Sequence, residues 1–240
     1  MTYCVGLLLK EGMVLLSDTR TNAGLDNIST YRKMFVFETP GERVITIMTA
    51  GSLSVTQTAM ARMRDIVDDP DSTEATSILK APTMLRVAEI IGKLLSEVRA
   101  EIADKLSMGQ GASASLIVAG QRAGGDMRMF LIYPEGNFIE ATEDTPFLQI
   151  GEHKYGKPIL DRVVTPQTSL KDAQKAVLLS MDSTLRSNLS VGMPLDLAVI
   201  RKDACALTER RRIEAGDPVF LKMSEAWSHA LRDGFSKIEI

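Results

Sequence analysis

The order in which strand-like and helix-like segments follow one another restricts this chain more than any other property of its sequence. Thr2 to Lys10 is strand-like, Glu11-Gly12 supplies a turn, and Met13 to Ser17 is a second, apolar run. Together they predict a β-hairpin. Asn22 to Ser29 reads as loop. Arg32 to Glu38 and Val44 to Ala50 predict a second hairpin through Thr39-Pro40-Gly41-Glu42. The period then changes: Val55, Ala59, Met63 and Ile66 share one helical face within Ser52 to Val67, and Asp68-Asp69-Pro70-Asp71 ends that helix. A longer helix is predicted from Thr83 to Leu106, where Met84, Val87, Ile91, Leu94, Val98 and Ile102 recur at helical spacing. Gly109-Gln110-Gly111 precedes a strand and is read as a helix stop, not a phosphate cradle.

Strand texture returns at Ala112 to Gln121, turns at Gly124-Gly125-Asp126 and resumes over Met127 to Tyr133 and on to Phe138, a third hairpin. A short helix near Lys154 to Arg162 and a strong one from Leu170 to Asn188 follow, the latter started by Ser169 as N-cap with Asp172 three residues on. Strands at Leu195 to Lys202 and Ala206 to Ile213 and a helix from Pro218 to Phe235 complete the reading. Hairpins and helices are thus grouped, whereas a doubly wound fold needs them to alternate one by one. The grouping predicts an α+β domain with antiparallel sheets and helices on the outer faces. No Gly/Ser/Pro-rich linker or internal repeat divides residues 1–240, so one domain is expected. Methionines such as Met60 and Met63 are read as core filler.

Composition removes several classes of function. A balance of 28 Lys+Arg against 31 Asp+Glu leaves a net charge of -3, which attracts neither a nucleic-acid backbone nor an anionic membrane. Cys4 and Cys205 are the two cysteines, too few for a disulfide framework or a four-thiolate metal site, and a reduced cytoplasm is the expected setting. The apolar stretch Cys4 to Leu9 is interrupted by Lys10 and Glu11, so neither a targeting segment nor a membrane span is read. His153 and His229 lack ligand partners at helical spacing, and no metal or other cofactor is expected. Glu209-Arg210-Arg211-Arg212 is read as a solvated strand end, with an inter-subunit salt-bridge surface as the alternative.

What remains is a nucleophile. Removal of Met1 would leave Thr2 with a free α-amine beside its own hydroxyl, and an α-amine titrates near enough to neutrality to act as that hydroxyl's base. Asp18 ends the second predicted strand and Lys33 starts the third, and hairpin geometry can return both to the start of the first. A lysine there would lower the hydroxyl and amine pKa values, and an aspartate would hold it charged and oriented. Ala50-Gly51-Ser52 lies where a strand turns into a helix, so the Gly51 N–H can point at a bound carbonyl. Each residue alone has an ordinary explanation, a turn for Asp18 and a solvated charge for Lys33; their co-occurrence carries the reading.

Thr2, Asp18-Thr19-Arg20, Lys33 and Ala50-Gly51-Ser52 together resemble proteasome-type N-terminal-nucleophile hydrolases. The string Ser-Asp-Thr-Arg-Thr-Asn-Ala-Gly at 17–24 resembles more closely the bacterial ancestral-beta-subunit group, Anbu. The resemblance implies a four-layer αββα sandwich, threonine-type peptidase or amide-hydrolase activity, and self-association into a ring or helical ring. It also implies that Thr49 borders the substrate pocket. Proteasome catalytic subunits carry Gly-Ser-Gly ahead of a later helix, and the counterpart here is Gly151-Glu152-His153, a carboxylate in place of a hydroxyl. They also carry Asp-x-x-Ser-Gly-Gly before a late strand. In this chain Asp182 is assigned to that role with extra residues, or Ser187 with none, ahead of Ser190-Val191-Gly192. Two other readings use the same residues: a weakly active ring-forming scaffold, favoured by Glu152, and an amidase for small non-peptide substrates.

Overall fold

The computed structural model describes residues 1–22, 28–105 and 111–239. In chain order, β1 (Tyr3–Leu9) and β2 (Gly12–Asp18) form the first hairpin, and β3 (Arg20–Asn22) pairs with β4 (Ile28–Thr30). Next come β5 (Met34–Thr39), β6 (Arg43–Gly51), α1 (Leu53–Asp68) and α2 (Met84–Ala103). The strands β7 (Ala114–Arg122), β8 (Arg128–Ile132), β9 (Phe138–Glu140) and β10 (Phe147–Gly151) precede α3 (Lys157–Val163) and α4 (Leu170–Ser187). The last elements are β11 (Leu195–Arg201), β12 (Glu209–Ile213) and α5 (Pro218–Ser236). Ser169 caps α4 as read, its hydroxyl accepting the Asp172 N–H at 3.1 Å.

Two five-stranded antiparallel sheets result, ordered β10-β1-β2-β11-β12 and β5-β6-β7-β8-β9. Side chains alternate faces along each strand. On β1 and β2, Tyr3, Val5, Leu7, Val14 and Leu16 face α3, α4 and α5. Cys4, Met13 and Leu15 face the other sheet, where they meet Met48, Ile117 and Met129. A third interior joins β6 and β7 to α1 and α2, with Met60 and Met63 inside it. Helices, sheet, sheet, helices: the four-layer sandwich expected from the resemblance is the observed fold, and a hydrophobic interior on both faces explains why these strands read as apolar runs with little alternation.

Four features differ from the sequence reading. The stretch read as loop after Asp18 carries the short β3-β4 hairpin, although residues 23–27 lie outside the described residues, as do Leu106 and residues 109–110 of the predicted helix stop. The third hairpin does not run unbroken to Phe138: the chain turns between Tyr133 and Asn137, and β9 is a separate strand. A five-residue strand, β10, went unread because its burial comes from pairing with β1 (Tyr3 opposite Gly151), not from a long apolar run. Finally, β12 begins at Glu209 and forms a sheet edge, with Arg210 and Arg212 exposed and Arg212 Nε 3.7 Å from Glu214 and 3.9 Å from Asp196. Such charges discourage further strand pairing.

Candidate active site

Hairpin register decides where the chemistry sits. Cys4 lies opposite Ser17, so Tyr3 comes level with Asp18, and Thr2 lies one residue beyond at the mouth between the two sheets. The Tyr3 N–H donates to Asp18 Oδ1 at 3.1 Å, and the Gly192 N–H donates to Oδ2 at 3.2 Å. Lys33 immediately precedes β5, and its carbonyl accepts the Thr49 N–H of β6 at 2.9 Å, which fixes its backbone. Its Nζ donates to Asp18 Oδ1 at 2.8 Å, to the Arg20 carbonyl at 2.5 Å and to the Met1 carbonyl at 3.3 Å. An ammonium group has three protons, and all are directed. Thr2, Asp18 and Lys33 are 7%, 0% and 4% exposed, so water screens their mutual field weakly.

Burial pushes the Asp18 carboxyl above its ordinary range, while the Lys33 ammonium and the two backbone N–H donors pull it back. Beneath the pair, the Cys4 thiol donates to the Thr49 carbonyl at 3.7 Å. Burial first, and then the Asp18 charge, push that thiol far up, so Cys4 stays a protonated packing group and not a nucleophile.

Gly51 ends β6 with φ +104, in the region that side chains disfavour, and a Cβ there would fall on the Ser113 carbonyl oxygen. Backbone groups of a strand alternate sides. The Thr49 N–H points to Lys33 and the Ser52 N–H to Ser113, so the Gly51 N–H faces the Lys33 side. A cavity of about 250 Å³ opens there, lined by Met1, Thr2, Thr21, Lys33, Thr49, Ala50, Gly51, Leu53 and Thr56. The expected pocket residue Thr49 is thus in its wall.

The Asp18-Thr19-Arg20 triplet has a physical reason beyond Asp18 itself. The Thr19 hydroxyl donates to the Pro194 carbonyl at 2.6 Å and Arg20 Nη1 to the Leu189 carbonyl at 3.0 Å, while Asp18 takes the Gly192 N–H. The three side chains bind the 189–194 loop against the site. Asp182 lies elsewhere. Its carboxylate, on α4, accepts from Arg186 Nε at 3.1 Å, and Arg186 in turn bonds the Ser224 hydroxyl at 2.7 Å. Of the late motif, the structure brings Gly192 to the cluster and not Asp182.

Gly151 and Glu152 press on Thr2 from the opposite side. The Glu152 N–H donates to the Thr2 carbonyl at 2.7 Å, and Gly151, at φ +80, has no room for a Cβ against that same oxygen. The Glu152 side chain is half-buried. Sequence reasoning singled out this tripeptide but not its main-chain role, since β10 was unread. His153 and His229 are exposed, and among the described residues no group of three His, Cys, Asp or Glu is placed to hold a metal ion. Nor is any described helix long and apolar enough to cross a membrane.

This fold has close counterparts among solved structures. An Anbu (Gly-1) mutant from Hyphomicrobium sp. strain MC1 is 48% identical, with 100% of this chain and 99% of that one covered and a TM-score of 0.94. Anbu (ancestral beta-subunit) from Yersinia bercovieri is 41% identical, with 100% and 99% covered and a TM-score of 0.92. The Anbu complex from Pseudomonas aeruginosa, solved as a helical assembly, is 43% identical, with 100% and 98% covered and a TM-score of 0.93. No curated protein matches the chain. Residues 2–200 match the family described as Proteasome subunit. The chain therefore belongs to the proteasome-subunit family, and within it to the Anbu proteins.

Proposed function

We propose that the protein is a threonine-type amide hydrolase acting on peptides, with Thr2 as nucleophile once Met1 is removed. The observation that carries this reading is the buried Asp18–Lys33 pair beside Thr2, with the Lys33 ammonium 3.3 Å from the carbonyl that precedes the nucleophile. While Met1 is present, the Thr2 nitrogen is an amide and cannot serve as a base. Its removal frees an amine at the same position. Thr2 Oγ then attacks the substrate carbonyl as its proton passes to that amine, directly or through water. The Gly51 N–H stabilises the oxyanion, the amine returns the proton to the leaving nitrogen, and water releases the acyl group. Lys33 lowers the proton affinity of the hydroxyl and amine, and Asp18 fixes Lys33. We assign no chemical role to Asp182.

The wall of the cavity is formed by Thr21, Thr49, Ala50, Leu53 and Thr56, small and uncharged apart from Lys33. That lining favours substrates with a small or medium uncharged side chain at the cleaved bond.

Acid should switch the reaction off early. The pair works in its ionised form, and burial raises the Asp18 pKa. The free amine must be neutral to act as base, so reactivity falls first as that amine is protonated, and falls again as pH drops through a value above the ordinary carboxylate range, where Asp18 takes its proton. The rate of Thr2 capture by a peptide epoxyketone, followed by intact mass from pH 4 to 8, measures this as a loss that steepens beyond one proton at the acid end; a loss that stays first order in protons down to pH 4 would count against the role of Asp18.

Self-association into a ring or helical ring is the second part of the proposal. It is supported by the helical assembly of the Pseudomonas aeruginosa relative. Leu231, Phe235 and Ile238 of the α5 region also stand largely exposed, an apolar surface of the kind assembly covers. A scaffold with an idle nucleophile is the competing reading. It is favoured by Glu152, a carboxylate on the residue whose own N–H contacts the Thr2 carbonyl, since a negative charge near the freed amine favours its protonated form. Adduct formation at neutral pH separates the two.

A further inference from the structure

The residue after the nucleophile is built into the fold unlike any other on β1. Tyr3 is fully buried, and its phenol crosses the helical layer to α4. Its oxygen lies 2.6 Å from Ser180 Oγ and accepts from Gln149 Nε2 of β10 at 2.6 Å. With Gln149 donating, the phenol's own proton is left for Ser180. Gly156, just before α3, closes the arrangement: a Cβ there would fall on Ser180 Oγ and lie 2.6 Å from the phenol oxygen. Burial raises the Tyr3 hydroxyl to about 12, so it remains a neutral donor throughout the working range.

The other end of Tyr3 reaches the chemistry. Its N–H is one of the two main-chain donors on Asp18, bound to the same Oδ1 that receives Lys33 Nζ. One residue back, the Thr2 carbonyl is held by the Glu152 N–H. Gln149 lies on β10 and Glu152 in the connection that leads from it to α3, and Gln149 Nε2 also approaches the His153 carbonyl at 3.5 Å. A single side chain therefore ties α4, β10 and the turn over Thr2 to the peptide that orients Asp18.

We propose that Tyr3 is a positioning residue for the nucleophile: its phenol, locked by Ser180 and Gln149, sets the depth at which β1 enters the site and so holds Thr2 in register with Asp18 and Lys33. The proposal rests on the hydrolase reading for its chemical consequence but not for its structural one. A fixed depth matters because a displacement of about 1 Å at a reacting group can cost about a hundredfold in rate.

Tyr3→Phe keeps the ring and removes the lock. In the full-length protein, with Thr2 capture by a peptide epoxyketone as the probe reaction, the limiting rate of adduct formation should fall by about ten- to a hundredfold, with little change in the probe concentration giving half that rate. Ser180→Ala should reproduce part of the loss, and the double variant should be no slower than Tyr3→Phe, because Tyr3→Phe already removes the bond that Ser180→Ala removes. A limiting rate for Tyr3→Phe within about twofold of the parent would overturn the proposal.

Should the parent itself form no adduct, the hydrolase reading fails, and the lock is judged by hydrogen exchange. Loss of a buried hydrogen bond of ordinary strength speeds local exchange by about tenfold. Exchange of the Tyr3 amide should rise by that factor in Tyr3→Phe while α2 and β7 exchange as before. Unchanged exchange at Tyr3 would overturn the proposal whatever the activity.

Discussion

Replacing Lys33 with methionine should reduce the capture of Thr2 by a peptide epoxyketone by about a hundred- to a thousandfold, the scale seen when one preorganised donor is removed from a water-excluded site. Methionine fills much of the same volume, so the loss isolates the ammonium. That group donates to Asp18, to the Arg20 carbonyl and toward the Met1 carbonyl, and the described residues place no other cation on Asp18. A second consequence is structural. Breaking a buried pair by deleting one partner typically destabilises by about 3–5 kcal/mol, because the survivor is left charged in a low-dielectric site. Asp18, wholly buried and already raised by burial, would respond by holding its proton to still higher pH. Urea unfolding of Lys33→Met, and of Lys33→Met with Asp18→Asn, separates the effects: the double variant should recover most of the stability and none of the reactivity. Recovery of both would remove Lys33 from the mechanism.

Gly51→Ala is the other change with a large expected effect. Its φ of +104 lies where an alanine is strained by about 1–3 kcal/mol, and its Cβ would lie 2.8 Å from Ala114 Cα and still closer to the Ser113 carbonyl oxygen. The end of β6 must shift to make room, carrying with it the Gly51 N–H, the proposed oxyanion donor. Removing one such donor lowers turnover by about 10²- to 10³-fold, so a comparable fall in adduct rate is expected beside a lower unfolding midpoint. A variant that unfolds earlier yet reacts at the parent rate would show that another donor meets the oxyanion.

The contrast between Asp18 and Asp182 shows what the chain discloses before it is folded. Asp18, Lys33 and Gly51 stand at ends of strong apolar strands, and antiparallel pairing with a fixed period returns strand ends to one edge, so their convergence could be read from spacing. The layered α+β architecture was legible for the same reason, since both faces of each sheet are buried and the strands read as runs. Asp182 lies inside a helix, where a shift of one or two residues turns the side chain through a large angle. Motif spacing with an uncertain gap could not place it, and its carboxylate faces Arg186 instead. Tyr3 and Gln149 were illegible for a different reason. Tyr3 is remote in sequence from both Ser180 and Gln149, and β10, five residues broken by Gln149, is too short to announce itself. Arg20 and Thr19 belonged to a recognised string, but that they restrain the 189–194 loop depends on tertiary contacts that no local pattern encodes.

The central claim is that Thr2, freed of Met1, is a supported nucleophile. Intact mass of the purified protein before and after exposure to a peptide epoxyketone, which needs both the hydroxyl and the free amine of an N-terminal threonine, tests it most directly. The account predicts a starting mass lacking Met1, a single adduct per chain, and no adduct in Thr2→Ala. A chain that retains Met1 and takes up no probe would contradict it and leave the protein a proteasome-like scaffold.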